Sequence, residues 1–187
     1  EGSRRDFIKS LAYSRRSKDG IAQAYALFGL GGVTRIQGRL RQAQGYYLQA
    51  TRYLEKRQDT FGQAYAHCGL ANVLRQRGAL EEARRHYLKT HKLYTALGDW
   101  VDLAYVDWGL GKIELHRGNL VSAEVRLVRA LNAFSRSHET RGQALAELAL
   151  AAVWHAQGRT ARAEALFNAA IGRARKAGLH AHLEIFT

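Results

Sequence analysis

The sequence predicts an all-α chain of tandem helix-turn-helix repeats, and three observations carry that prediction. Four glycines, Gly38, Gly78, Gly118 and Gly158, recur at a strict spacing of 40 residues. The same step links Ala24, Ala64, Ala104 and Ala144, then Leu30, Leu70, Leu110 and Leu150, then Val33, Val73, Ile113 and Val153, then Ala43, Ala83, Ala123 and Ala163. Within one period the apolar and small residues fall at helical spacing on both sides of the glycine, as in Ala64, Gly69, Leu70, Val73 and Leu74 before Gly78 and Leu80, Ala83, Tyr87 and Leu88 after it. A fixed period of roughly 20 to 50 residues marks a stacked array of small units.

The elements follow in order. A helix over residues 4–17 reads as the second helix of a preceding partial repeat, 1–19. Helix pairs follow at 20–37 with 40–57, 60–77 with 80–97, 100–117 with 120–137, and 140–157 with 160–177, giving repeats 20–59, 60–99, 100–139 and 140–179. A stub of a further helix, 180–187, begins near His180. In each pair the recurring glycine is the stop between the helices, because a glycine past the last helical residue adopts the left-handed conformation at no steric cost. Basic residues crowd the turn before it (Arg35, Arg75, Arg77, His116, Arg117 and His155), which suits the negative end of a helix dipole. At the opposite junctions Asp19, Asp59 and Asp99 are expected N-caps, with Thr140 in the fourth repeat. No segment reads as a strand and no Pro- or Ser-rich linker interrupts the chain, so residues 1–187 are expected to form one elongated array.

These residues carry a family resemblance. The chain resembles tetratricopeptide (TPR) repeat proteins, whose pattern pairs Leu-Gly in the first helix with Ala-x3-aromatic in the second. Leu30-Gly31 and Leu110-Gly111 match the first element, and Leu70-Ala71 and Leu150-Ala151 keep a small residue there. Ala43 with Tyr47, Ala83 with Tyr87 and Ala163 with Phe167 match the second, while Ala123 pairs with Leu127. The chain departs in three ways. The aromatic expected three residues before Leu-Gly is replaced by Leu27, His67, Asp107 and Glu147, no proline closes the second helices, and the period exceeds the usual 34 or so residues. The resemblance is therefore to long-helix variants such as kinesin light chains, Leu-Gly-Asn-repeat adaptors and bacterial regulators. It implies a right-handed superhelical solenoid of about nine helices plus the stub, and binding of a partner on a concave face rather than chemistry.

Composition bounds the function. With 29 Lys and Arg against 16 Asp and Glu the chain carries +13 and a pI near 10.3, which invites an anionic partner. One cysteine, Cys68, excludes an internal disulfide and points to the reducing cytoplasm. No window reaches the roughly 18 apolar residues of a membrane span. The chain opens "EGSRR" inside a second helix and has no Met, so it is read as a fragment of a longer protein.

No residue set reads as catalytic, cofactor-binding or metal-binding, and an enzyme is not expected. His86 and His91 are five apart, His67 and His86 fall on different helices, and His180 with His182 lacks an acidic or cysteine companion; ligands on one helix face want separations of three or four. His67 and Cys68 are adjacent, about 100° apart on a helix, and cannot share a proton directly. The cluster "GLGGV" lacks the strand and lysine of a phosphate loop and reads as close helix packing.

The candidate binding surface follows from the face that the resemblance makes concave. One column holds Tyr25, Tyr65, Tyr105 and Leu145; the next, three residues on, holds Phe28, Cys68, Trp108 and Leu148. Further columns add Asn72 and Lys112, then Arg35 and Arg75. Two readings of this stripe stay open: helix-packing core, or the floor of a groove. The groove reading predicts a scaffold that captures a peptide or helical segment of another protein, apolar and acidic, between Tyr25, Phe28, Tyr65, Cys68, Asn72, Tyr105 and Trp108, with Arg35, Arg75 and Lys112 at its edge. The alternative is an effector-sensing module of a multidomain transcriptional or signalling regulator. A basic edge through Arg35, Arg39, Arg75, Arg77, Arg117 and Arg159 allows only weak, sequence-independent contact with nucleic acid, and no membrane partner is expected. Ends cut inside a repeat, with Ile8 and Leu11 on one side and Leu179, Leu183 and Ile185 on the other, are expected to self-associate.

Overall fold

The structure is a computed structural model and describes residues 2–179. Among the described residues there are nine α-helices and no strand: α1 (Gly2–Arg16), α2 (Gly20–Ile36), α3 (Leu40–Lys56), α4 (Thr60–Gln76), α5 (Leu80–Leu97), α6 (Trp100–His116), α7 (Leu120–Arg136), α8 (Thr140–Ala156) and α9 (Thr160–Lys176). Every boundary lies within two residues of the position the periodicity predicts. The stub near His180, with Leu183 and Ile185, lies outside the described residues. None of the described helices is long and apolar enough to cross a membrane.

The turns explain that regularity. Gly38, Gly78, Gly118 and Gly158 have φ between +73° and +79°, as a helix stop requires. The opposite junctions use the same left-handed closure at Lys18, Gln58, Gly98, His138 and Gly178, so the backbone repeats every 20 residues although only two of these five positions carry glycine. Every closure but the one at Gly98 makes the same pair of backbone bonds. The Gly38 and Arg39 amides donate to the Arg35 and Thr34 carbonyls, and the Gln58 and Asp59 amides donate to those of Glu55 and Leu54. Asp59 then serves the following helix, accepting from the Gly62 amide at 2.9 Å, as Asp19 accepts from Ile21 and Ala22 and Asp99 from Asp102. The fourth cap corrects the expectation: Glu139, not Thr140, accepts from the Gly142 amide, and Thr140 is the first helical residue.

The chain groups into two compact units, Glu1–Gly98 and Asp99–Thr187, divided at a repeat boundary. In the first, α2 packs on α1 and α3, and α4 on α3 and α5. Its core joins Leu11, Leu27, Leu30, Leu54 and small residues from Ala24 to Ala66. Leu11 is therefore buried under α2 rather than exposed at the end of the array, while Ile8 stays exposed. The Tyr47 ring is held between α2 and α4, where a Cβ on Gly69 would stand 2.2 Å from it, so glycine there is a packing requirement. In the second unit α6, α7, α8 and α9 enclose Leu127, Phe134, Leu150, Val153 and their neighbours.

Candidate functional site

The face formed by α2 and α4 in the first unit carries a connected set of rings. Phe28 lies 5.5 Å from Tyr47 and 5.1 Å from Tyr65, and Tyr65 lies 5.1 Å from Phe61 (ring centroids). Phe28 and Tyr65 are half-buried, whereas Tyr25 and Phe61 are exposed. Tyr25 donates its hydroxyl to Asp59 at 3.1 Å, which ties the ring to the cap of α4; burial, and then that carboxylate, raise its pKa. Cys68 is half-buried beside Asn72, whose amide donates to the Cys68 carbonyl at 3.0 Å and whose oxygen accepts from the Tyr87 hydroxyl at 2.9 Å. Phe61 was not among the expected site residues. Its signal was present, since it precedes Tyr65 by four residues on the same helix face.

The edge cations have structural partners. Burial raises the Tyr47 and Tyr87 hydroxyls above their ordinary range, and the Arg35 and Arg75 guanidinium groups beside them pull the other way. Where Leu127 replaces the tyrosine, Leu115 replaces the cation, as expected if the two act as a pair. Arg75 is only 7% exposed, so it belongs to the interior rather than to a groove edge. Of the other edge residues, Arg77 donates to Gln44, Arg117 lies 3.6 Å from Glu114, and Arg159 clamps Glu124 with both nitrogens, at 3.1 and 2.7 Å.

The second unit treats the same columns differently. Trp108 is 3% exposed and donates its indole N–H to the Leu145 carbonyl at 3.0 Å, inside the core with Ala146 and Ala149. Of the two readings of the stripe, Trp108 therefore takes that of packing core and not of groove floor: the small residues of α8 leave room for the indole, and burial is the favourable outcome. Tyr105 is half-buried against Phe134, 4.6 Å away, with its pKa raised by burial and then by Glu139. Lys112 reaches over Trp108 at 5.4 Å from the ring centre.

A second column holds the residues that replace the expected aromatic, and Leu27, His67, Asp107 and Glu147 are all buried. His67 meets His86 across α4 and α5, Nδ1 to Nδ1 at 3.0 Å, although their sequence separation argues against a pair. The His67 Nε2 lies 3.4 Å from Glu55, which in turn pairs with Lys89 at 2.7 Å. Burial, then the Lys89 and His86 charges, push the His67 pKa down to about 4, and burial lowers that of His86. In the second unit Asp107 faces Arg126 at 3.0 Å and Arg129 at 3.7 Å, and Glu147 takes two bonds from Arg173, at 3.1 and 3.2 Å. Among the described residues no group of three or more His, Cys, Asp or Glu side chains is placed to hold a metal ion.

Comparison with solved structures places the fold in a class. BtubC from P. vanneervenii is similar with 20% sequence identity and a TM-score of 0.73, over 92% of this chain and 75% of that one. A Rap protein complexed with Competence and Sporulation Factor is similar with 17% identity and a TM-score of 0.76, over 91% of this chain, which spans 50% of the Rap chain. A putative kinesin light chain from Podosopora anserina with nearly identical TPR-like repeats gives 13% identity and a TM-score of 0.65, over 92% of this chain and 85% of that one. No protein-family model matches the sequence, and no curated protein matches it significantly. The fold is that of the TPR-like helical repeat proteins.

Proposed function

We propose that the chain is a non-enzymatic protein-interaction scaffold of the cytoplasm, and that the α2–α4 face of its first unit captures a peptide or helical segment of another protein. The observation that carries this reading is the Phe61, Tyr65 and Phe28 ring set, connected and partly exposed. Aromatic side chains of this kind dominate interfaces because they bury large areas with little loss of rotamer freedom. The similar Rap structure, described as a complex with Competence and Sporulation Factor, is in keeping with that use of the fold. The clefts along both units are open rather than enclosed, which favours a segment of a macromolecule over the small effector of a sensor.

A displayed peptide library tests the proposal. Peptides selected on the wild-type chain are expected to lose about 1 to 3 kcal/mol of affinity on Tyr65→Ala or Phe61→Ala. Selected peptides that bind a variant carrying both Tyr65→Ala and Phe61→Ala as tightly as wild type would place the binding surface elsewhere.

A further inference from the structure

We propose that the outer face of the first unit, formed by the second helices α1, α3 and α5, is a separate docking surface for an acidic segment of a protein partner. The net charge of the chain is concentrated in this unit. Residues 1–98 hold 18 Lys and Arg against 7 Asp and Glu, whereas residues 99–187 hold 11 against 9. Two adjoining clefts run between these helices. One, of about 480 Å³, lies between α1 and α3 over a floor of Gly20 and Gln23, with Arg15, Lys18, Lys56 and Arg57 on its walls. The other, of about 470 Å³, lies between α3 and α5 over His67 and Leu70, with Arg52, Arg85 and Lys89 around it. Seven cations therefore line the pair of clefts against one carboxylate, Glu55, which Lys89 already engages at 2.7 Å. The Arg57 guanidinium rests on Gly20, where a Cβ would come within 3.3 Å of it, so this exposed cation lies against the α2 terminus.

The chemistry of the clefts selects the partner. Leu48 and Tyr53, each 39% exposed, present apolar surface inside the ring of cations. Seating apolar groups while pairing carboxylates at the rim suits an amphipathic acidic peptide lying along grooves between helices. A nucleic-acid backbone would gain nothing from the apolar Leu48, and it would meet Glu55 in the second cleft. The surface uses none of the α2–α4 rings, so it stands or falls independently of the groove reading.

The test is fluorescence anisotropy with a labelled peptide of about 20 residues alternating Glu and Leu, in about 150 mM salt, where screening beyond roughly 8 Å removes long-range attraction. The full chain is compared with a quadruple variant, Arg15→Gln, Arg52→Gln, Lys56→Gln and Arg85→Gln, and with a control that removes four exposed cations outside the clefts, Lys9, Arg16, Arg41 and Lys92. Circular dichroism verifies folding of both. The cleft variant is expected to lose about tenfold or more in affinity and the control less than about threefold, while Tyr65→Ala binds as wild type does. A Gln-for-Glu version of the peptide is expected not to bind. Equal losses in the two quadruple variants would reduce the effect to net charge and overturn the proposal. It would also be overturned by a failure of the acidic peptide to bind, by its loss on Tyr65→Ala, or by tighter binding of an oligothymidylate of similar length.

Discussion

The two units share one repeat and one set of columns, yet they use them in opposite ways. In the first, Phe28 and Tyr65 stay half-buried and Tyr25 exposed, with the polar column occupied by a neutral His67–His86 pair. In the second, Trp108 is folded into the core and the polar column holds carboxylates clamped by arginine. A repeat column thus fixes where a side chain sits on its helix, but its exposure depends on the size of what the neighbouring helix offers. Ala146 and Ala149 make room for the indole of Trp108, whereas the Tyr65 ring already packs, tilted, between Phe28 and Phe61.

The contrast can be broken most strongly at Trp108. Trp108→Ala is expected to cost about 3 to 5 kcal/mol of folding stability through the cavity it leaves, and Tyr65→Ala about half that or less, as read from denaturant unfolding. The buried carboxylates come next. Asp107→Ala strands Arg126 and Arg129, and Glu147→Ala strands Arg173; each change is expected to cost about 2 to 4 kcal/mol, at the lower end of the cost for buried pairs because the arginines are partly exposed.

A smaller effect separates the units by pH. His67 titrates at about 4 in the folded chain, below its unfolded value, so the unfolded state binds protons first as the solution is acidified. The stability linked to His67 is therefore fully present above about pH 6.5 and is lost progressively as the pH falls toward 4. His67→Leu, which copies Leu27 of the first repeat, is expected to flatten that dependence at neutral-pH stability within about 1 kcal/mol of wild type. Thermal melts from pH 7 to pH 4 check both statements. In the second unit Glu124 is held down at about 2, first by its bonds from Arg159 and then Gln157, so its contribution is intact above about pH 4.5 and is lost as the pH falls from there toward 2. The smallest expected effects are gains. Gln58→Gly and His138→Gly relieve left-handed closures at φ of +54° and +55°, and each is expected to add about 0.5 to 1 kcal/mol.

Much of this was legible in the sequence, for physical reasons. Helix positions follow from spacing, and the four recurring glycines marked turns because their left-handed backbone penalises other residues. The junctions at Lys18, Gln58 and His138 were silent, since the same backbone is held there without glycine. Tyr25, Phe28 and Tyr65 could be placed on one face by periodicity. The burial of Trp108 and Arg75 could not, because it depends on α8 in one case and on the Tyr87 hydroxyl in the other. The His67–His86 contact is equally a product of packing between helices, and helical spacing within one segment gives no hint of it.

The division of labour between the units is tested most directly by measuring melting temperature and affinity for a selected peptide on the same two proteins, Tyr65→Ala and Trp108→Ala. Tyr65→Ala is expected to melt close to wild type and lose about 1 to 3 kcal/mol of affinity, while Trp108→Ala melts far lower and, at temperatures where it remains folded, binds normally. A Tyr65→Ala protein that melts as low as Trp108→Ala, or that binds the peptide with wild-type affinity, would contradict the assignment of the first unit's ring set to partner capture.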